Sequence, residues 1–222
     1  MATDRPKAEW PYFIETGAAV PAVSLSDMKT WLKISTGTQD AEITALINGA
    51  VQTAEHLTRR DLINKKYLTF RDGFSDLYNC VGNYSVLIPG YQDRYGYACN
   101  GIELRKSRLQ SITSIEYSKG GVWTLVGASI YYFTLENAYS RILLVEDEEW
   151  PADLDNREQA VRIYFTAGYG AASANIPADI ITAIKSHVAN AFANRGDCAT
   201  SSFLPTSARM TYMNNRIMEI GV

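Results

Sequence analysis

The sequence predicts an α+β protein: a helical bundle built from an N-terminal helical hairpin and a C-terminal long helix, with an intervening antiparallel β-rich insertion. Three observations carry that prediction. Apolar residues recur at helical spacing near residues 25–34, 43–57 and 180–192. Between them, from about 65 to 167, short alternating runs are punctuated by glycine, asparagine and proline. No strand–helix–strand rhythm and no internal repeat occurs, so a parallel sheet is not expected. With 222 residues and 46% hydrophobic composition, the chain can bury a substantial core. It divides into an extended arm over 1–23, a main domain over 24–196 and a C-terminal tail over 197–222.

The arm, MATDRPKAEWPYFIETGAAVPAV, sets prolines at 6, 11 and 21 around Trp10, Tyr12 and Phe13. Proline interrupts helices, so these aromatic side chains are expected to dock on their own chain or on a neighbour's. Ser24 or Ser26 caps a first helix in SLSDMKTWLKI, whose Leu25, Met28 and Leu32 share a face widened by Trp31 and Ile34. STGTQD breaks it. AEITALINGAVQTAEHLTRR then repeats Ile43, Leu46, Ile47, Ala50, Val51, Ala54 and Leu57 on one face, which makes an amphipathic helix. Two helices joined by so short a polar turn form an antiparallel hairpin, with a face left for another element to cover.

Strand chemistry begins at KKYLTFRDGF and ends near Asp72 and Gly73. The tyrosine-rich stretch from Phe74 to Gly101 reads as an irregular loop or a small hairpin, with Val86 to Ile88 as one further extended segment. Ile102 and Leu104 alternate. Ile112, Ser114 and Glu116 then face away from Thr113, Ile115 and Tyr117, and Lys119, Gly120 and Gly121 turn the chain into VWTLV as a hairpin. SIYYFTLENAYSRILLV adds short strands, and EDEEWPADLDNRE is an acidic loop. Val161 to Thr166 alternates again, and Pro177 starts the helix PADIITAIKSHVANAFANR, whose Ile180, Ile181, Ile184, Val188, Ala191 and Phe192 pack on the hairpin.

A formal net charge of -3 and a pI near 5.5 exclude the broad basic surface of an autonomous nucleic-acid binder. Cys80, Cys99 and Cys198 lack metal-ligand spacing and fit a reducing compartment, with a Cys80–Cys99 disulfide as the alternative. Neither residues 1–23 nor any later run has the apolar core of a leader or a membrane span, so a soluble chain without a membrane partner is expected.

The segment VRIYFTAGYG raises a nucleotide-loop reading and then defeats it. Gly168 and Gly170 match neither the P-loop, which needs a terminal lysine, nor the dinucleotide G-x-G-x-x-G spacing. The better reading is a structural junction in which Gly168 and Gly170 adopt conformations closed to larger residues, Tyr169 covers apolar surface, and Pro177 opens the next helix. His56 and His187 sit singly in helices and form no H-E-x-x-H pattern; His187 reads as a packing or hydrogen-bonding residue. The acids Glu146, Asp147, Glu148, Glu149, Asp153 and Asp155 do not follow an EF-hand order and read as a solvated face or an interface loop. No serine–histidine–aspartate constellation is visible. The sequence therefore names no catalytic residue, metal ligand or cofactor. Two cationic groups remain, Arg59, Arg60, Lys65 and Lys66, and Arg105, Lys106 and Arg108. They are candidate contacts for phosphate or an acidic partner, against the plainer reading of solvated turn and helix-end charges.

Taken in order, VSLSDMKTWLKI, DAEITALINGAVQTAEHLTRRDLINKKY, IELRKSRLQSITSIEY and VRIYFTAGYG followed by IPADIITAIKSHVANAFANR resemble the head-tail connector, or adaptor, family of tailed double-stranded DNA phages and prophages. The resemblance runs from about residue 24 to 196. It implies a non-enzymatic virion neck protein, assembled in the host cytoplasm and located at the head-tail interface. Such a subunit forms a homo-oligomeric, dodecameric ring below the portal protein, meets a stopper or tail-proximal protein, and lies close to double-stranded DNA in the channel. The resemblance also implies portal attachment through the C-terminal segment, where Phe203, Leu204, Tyr212, Met213, Ile217, Met218 and Ile220 are candidate contacts and would expose apolar surface until a partner covers it. The arm and the tyrosine-rich stretch depart from the family pattern, and Trp10, Tyr12, Phe13, Tyr78, Tyr84, Tyr91, Tyr95 and Tyr97 are candidate contacts between subunits. A tail-completion or stopper protein, and a small hydrolase with an unrecognised site, are the alternatives.

Overall fold

The computed structural model describes residues 11–74, 101–106, 108–134, 140–194 and 204–217. Trp10, Tyr78, Tyr84, Tyr91, Tyr95, Tyr97, Phe203, Met218, Ile220, the segment Val86 to Ile88 and all three cysteines lie outside the described residues. The chain forms two compact units, and it passes between them in sequence rather than finishing one before starting the other. Residues 18–65 and 168–217 make a helical unit, while 11–17 and 66–167 make a β unit. The fold is the α+β arrangement expected, with N-terminal helices, an inserted antiparallel β region and C-terminal helices.

In the helical unit, α1 (Leu25–Leu32) begins at Ser24, whose hydroxyl accepts from the Asp27 N–H at 3.1 Å. Lys33 ends it in the left-handed conformation. α2 (Asp40–Thr58) follows, and Lys29 of α1 reaches Asp40 in its first turn at 2.7 Å, where a carboxylate also suits the helix N-terminus. α3 (Ala178–Ala193) starts after Pro177, which is the residue before the first turn rather than within it. Its Ile180, Ala183, Ile184 and Val188 are buried with Met28 of α1 and Ile43, Ile47, Ala50 and Ala54 of α2, because the 3.6-residue period turns each set toward the same centre. A fourth helix, α4 (Thr206–Asn214), lies in the stretch read as a tail, and it adds Ala208 and Tyr212 to that core.

The β unit begins in the supposed arm. Residues Tyr12–Thr16 form β1, which pairs antiparallel with β2 (Lys65–Arg71) from Tyr12↔Thr69 to Thr16↔Lys66. The sheet order is β1-β2-β8-β4-β5, where β4 is Leu109–Lys119, β5 is Val122–Leu125 and β8 is Val161–Ala167. A second sheet of order β3-β7-β6 comprises β3 (Ile102–Leu104), β6 (Tyr131–Phe133) and β7 (Ser140–Leu144). Both sheets feed one core, in which Ile102, Leu104 and Ile142 meet Tyr67, Ile115, Ile163 and Phe165. The period-two alternation of β8 buries Val161, Ile163, Phe165 and Ala167 and turns the residues between them outward.

At the exit from β8 the chain is tightly constrained. Gly168 has φ +146°, and a Cβ there would lie 2.8 Å from the backbone of Asn64, which cannot move aside as a flexible side chain would. The Asn64 N–H donates to the Gly170 carbonyl at 3.0 Å, and Ser173 Oγ donates to the Ala22 carbonyl at 2.6 Å, so the residues before α1, before β2 and before α3 are tied together within the helical unit. A Cβ at Gly170 would collide with the Asn175 side chain, its Cβ at 2.6 Å included, rather than with backbone. Gly168→Ala is therefore expected to destabilise the helical unit by about 2–3 kcal/mol, the range for a strained backbone with a steric clash, and Gly170→Ala by less. Thermal unfolding of the two variants followed by circular dichroism checks the order of the two effects.

Candidate interaction surfaces

In the helical unit, the carboxylates of Glu55 and Asp61 converge on Lys65, at 2.6 Å and 3.0 Å from its Nζ. Burial works to lower the Lys65 pKa, but the hydrogen bonds and charges of Glu55 and Asp61 outweigh it and hold the ammonium above its ordinary value. Glu55 also accepts from the Leu62 N–H at 3.0 Å, so the cluster fixes the turn between α2 and β2. Arg60 is likewise engaged, its Nε donating to the Asn215 carbonyl at 2.9 Å. Of the first cationic group, Arg59 and Lys66 are the exposed members. The second group is engaged in the β unit. Arg105 Nε donates to Glu103 at 3.3 Å, and Lys106 Nζ lies 4.6 Å from the centre of the Tyr67 ring and 5.8 Å from that of Tyr12. Arg108 is exposed. Pairing that spacing alone does not reveal removes Lys65, Arg60 and Arg105 from a simple phosphate-gripping patch.

The aromatic and C-terminal candidates separate in the same way. Tyr12 is half-buried, edge-on to Phe165, and its hydroxyl accepts from the Arg105 N–H at 2.8 Å, whereas Phe13 faces solvent. Tyr12 thus docks on its own chain. In the C-terminal segment, Tyr212 is 0% exposed and Ile217 4% exposed. The expectation that these two stay uncovered until a partner arrives is corrected, because α4 turns Tyr212 into the helical core and the Ile217 N–H donates to the Thr58 carbonyl at 3.1 Å. Leu204 is partly buried against the same core, and Met210 and Met213, one helical turn apart, remain exposed. The Tyr212 hydroxyl pKa is raised by burial, its ring lies 6.5 Å from His187, and burial lowers the His187 pKa, so that imidazole is a neutral packing residue.

The acidic loop has a structural role that the acid run concealed. Trp150 stacks on Phe74 with ring centres 4.8 Å apart and lies 6.2 Å from Tyr131, which anchors the loop in the β core. Asp155 clamps the β4–β5 turn: its carboxylate accepts from Ser118 Oγ at 2.6 Å, Gly120 N at 2.8 Å and Gly121 N at 2.9 Å. Lys119 pairs with Asp153 beside it. Depressions occur in both units among the described residues. One of about 680 Å³ is lined by Asp72 and residues of 151–158 in the β unit, and one of about 320 Å³ by Ala18, Val20, Ile47, Val51, Leu62 and their neighbours in the helical unit. Of the carboxylates lining the first, Asp72 accepts from the Gln159 N–H at 2.8 Å and Asp155 is held by the β4–β5 turn. Among the described residues no group of three histidine, cysteine, aspartate or glutamate side chains is placed to hold a metal ion, and no helix is long and apolar enough to cross a membrane.

No protein-family model matches the chain, and no curated protein matches it by sequence. Its fold is shared. A chain from the neck of an empty GTA particle computed with C6 symmetry aligns with a TM-score of 0.69 at 19% identity, covering 95% of this chain and 97% of that one. A chain from the virion of a native gene transfer agent (GTA) particle gives 0.66 at 19% identity, covering 94% of this chain and 96% of that one. A chain from the neck of a native GTA particle computed with C12 symmetry gives 0.64 at 19% identity, covering 94% and 97%. The likeness extends over nearly the full length of each chain, so the same α+β fold, including the β insertion, is present in all of them.

The Asp155 clamp makes a pH-dependent prediction. The Ser118 hydroxyl and the Gly121 and Gly120 N–H groups hold its carboxyl below the ordinary value. A depressed carboxyl contributes its stabilisation above the unfolded pKa of about 4 and loses it as pH falls through the folded value. Amide exchange measured by NMR is expected to show Gly120 and Gly121 protected above pH ~4 and progressively less so below it, with Asp155→Ala removing the protection at every pH.

Proposed function

We propose that this protein is a structural, non-enzymatic subunit of the neck of a virus-like particle. It assembles as a ring below the portal, joins the portal to a stopper or tail-proximal protein, and extends the DNA channel. The observation that carries this reading is the end-to-end fold likeness to chains from particle necks, including one computed with C12 symmetry, which suits a dodecameric ring. The chemistry of the chain is consistent with it. A neck passes DNA without gripping it, and a subunit with a net charge of -3 and several neutralised cations avoids the counterion-driven affinity that would stall transit. Repetition around a ring multiplies whatever charge faces the channel, so a contribution from the exposed Arg59, Lys66 and Arg108 would come from number rather than from base recognition.

For the portal side, the exposed face of α4 with Met210 and Met213 is the proposed contact, with Phe203, Met218 and Ile220 as further candidates from the sequence. Methionine suits such a face because its flexible, polarizable side chain adapts to a partner. Omitting this chain during particle assembly is the functional test. Heads that package DNA but carry no tails, restored to tailed particles by supplying the chain in trans, are the expected outcome in negative-stain images. Tailed particles formed in normal yield without it would reject the proposal.

A further inference from the structure

Among the described residues, the five-stranded sheet ends at β1 on one side and at β5 on the other. An edge strand presents a row of unpaired N–H and C=O groups, and proteins that must stay apart blunt such edges with charge, proline or cover. Here the two strands, YFIET and VWTL, contain no proline and one charged residue, Glu15. Four of their apolar side chains face solvent: Phe13 is 51% exposed, Ile14 57%, Val122 66% and Leu125 65%. The irregularity in β1 lies between Ile14 and Thr16, leaving Tyr12 to Ile14 in regular pairing with β2. At the other side, the Asp155 clamp holds the β4–β5 hairpin turn, and β5 pairs with β4 from Val122↔Lys119 to Leu125↔Glu116.

We propose that β5 of one copy pairs with β1 of the next, so that the sheet continues from subunit to subunit. This rests on the neck-ring reading above. A closed ring built from one kind of chain needs two different, mutually complementary patches on each copy, and the two edges of one sheet are such a pair. The strands are similar in length, at five and four residues. Their flanking charges also match: Glu15 is exposed on β1, and Arg157 is exposed beside β5 with its guanidinium 5.2 Å from the Trp123 ring centre. The occupant of each edge is therefore a second copy of this chain.

Blocking one edge at a time tests the proposal without knowledge of register. Ile14→Lys disables β1 and Leu125→Lys disables β5, and the exposure of both positions lets the fold survive, as circular dichroism will verify. Light scattering of the full chain over rising concentration is expected to show wild-type multimers, and self-association weakened by at least about tenfold in either variant. An equimolar mixture of the two retains one intact edge pair and is expected to stop at two-chain species. Variants that assemble like wild type, a mixture that stays monomeric, or a wild-type chain monomeric at every concentration would each overturn edge pairing. The neck reading fails separately, if tailed particles form without the chain.

Discussion

The contact between Gly168 and the backbone of Asn64 is the constraint on which the packing of the helical unit's two chain segments depends. Asn64 lies one residue before β2, and Gly168 lies one residue after β8, and these are neighbouring strands at the middle of the sheet order. With no Cβ at 168 the two segments touch, and the Asn64 N–H reaches the Gly170 carbonyl. Within the β unit, β1 is registered on β2, and β4 on β8. On the helical side, the same short stretch continues through Ser173, bonded to Ala22, into Pro177 and α3. A pair of glycines that first looks like a phosphate loop is a steric requirement of a chain that leaves one unit and enters another.

Much of this was legible beforehand, for reasons that differ by element. α1, α2 and α3 were visible because each buries a continuous face, so period alone marks Met28, Ile43 and Ile184 as interior. The β4–β5 hairpin was visible because Gly120 and Gly121 both take positive φ. β1 was hidden by Pro11 and by its exposed Phe13 and Ile14: an edge strand buries too little to show an alternating pattern. α4 was hidden because Ala208 and Tyr212 are its only buried residues, too few for a recognisable face. The charges were the least legible. Nothing in the spacing of Lys65, Glu55 and Asp61 announces that they meet, since the turn between α2 and β2 creates the encounter. Likewise, Asp155 stands in an acid run that suggests solvent or calcium, and only the fold carries it to Ser118 and the Gly120–Gly121 turn.

Charge and apolar exposure point the same way functionally. Cations that could have made a nucleic-acid grip are absorbed into ion pairs, hydrogen bonds and ring contacts, while large apolar side chains are left facing solvent on β1, β5 and α4. A protein that acts alone has reason to do the reverse. On the proposed neck reading, copies of the chain and neck partners would cover those strands and that helix face.

Single-particle reconstruction of the neck of intact particles carrying this chain tests that account most directly. The account predicts a ring of copies between portal and tail around an open channel, with each chain traceable as the two units described. Density for the neck that this fold cannot fill, or particles whose necks lack the chain altogether, would contradict it.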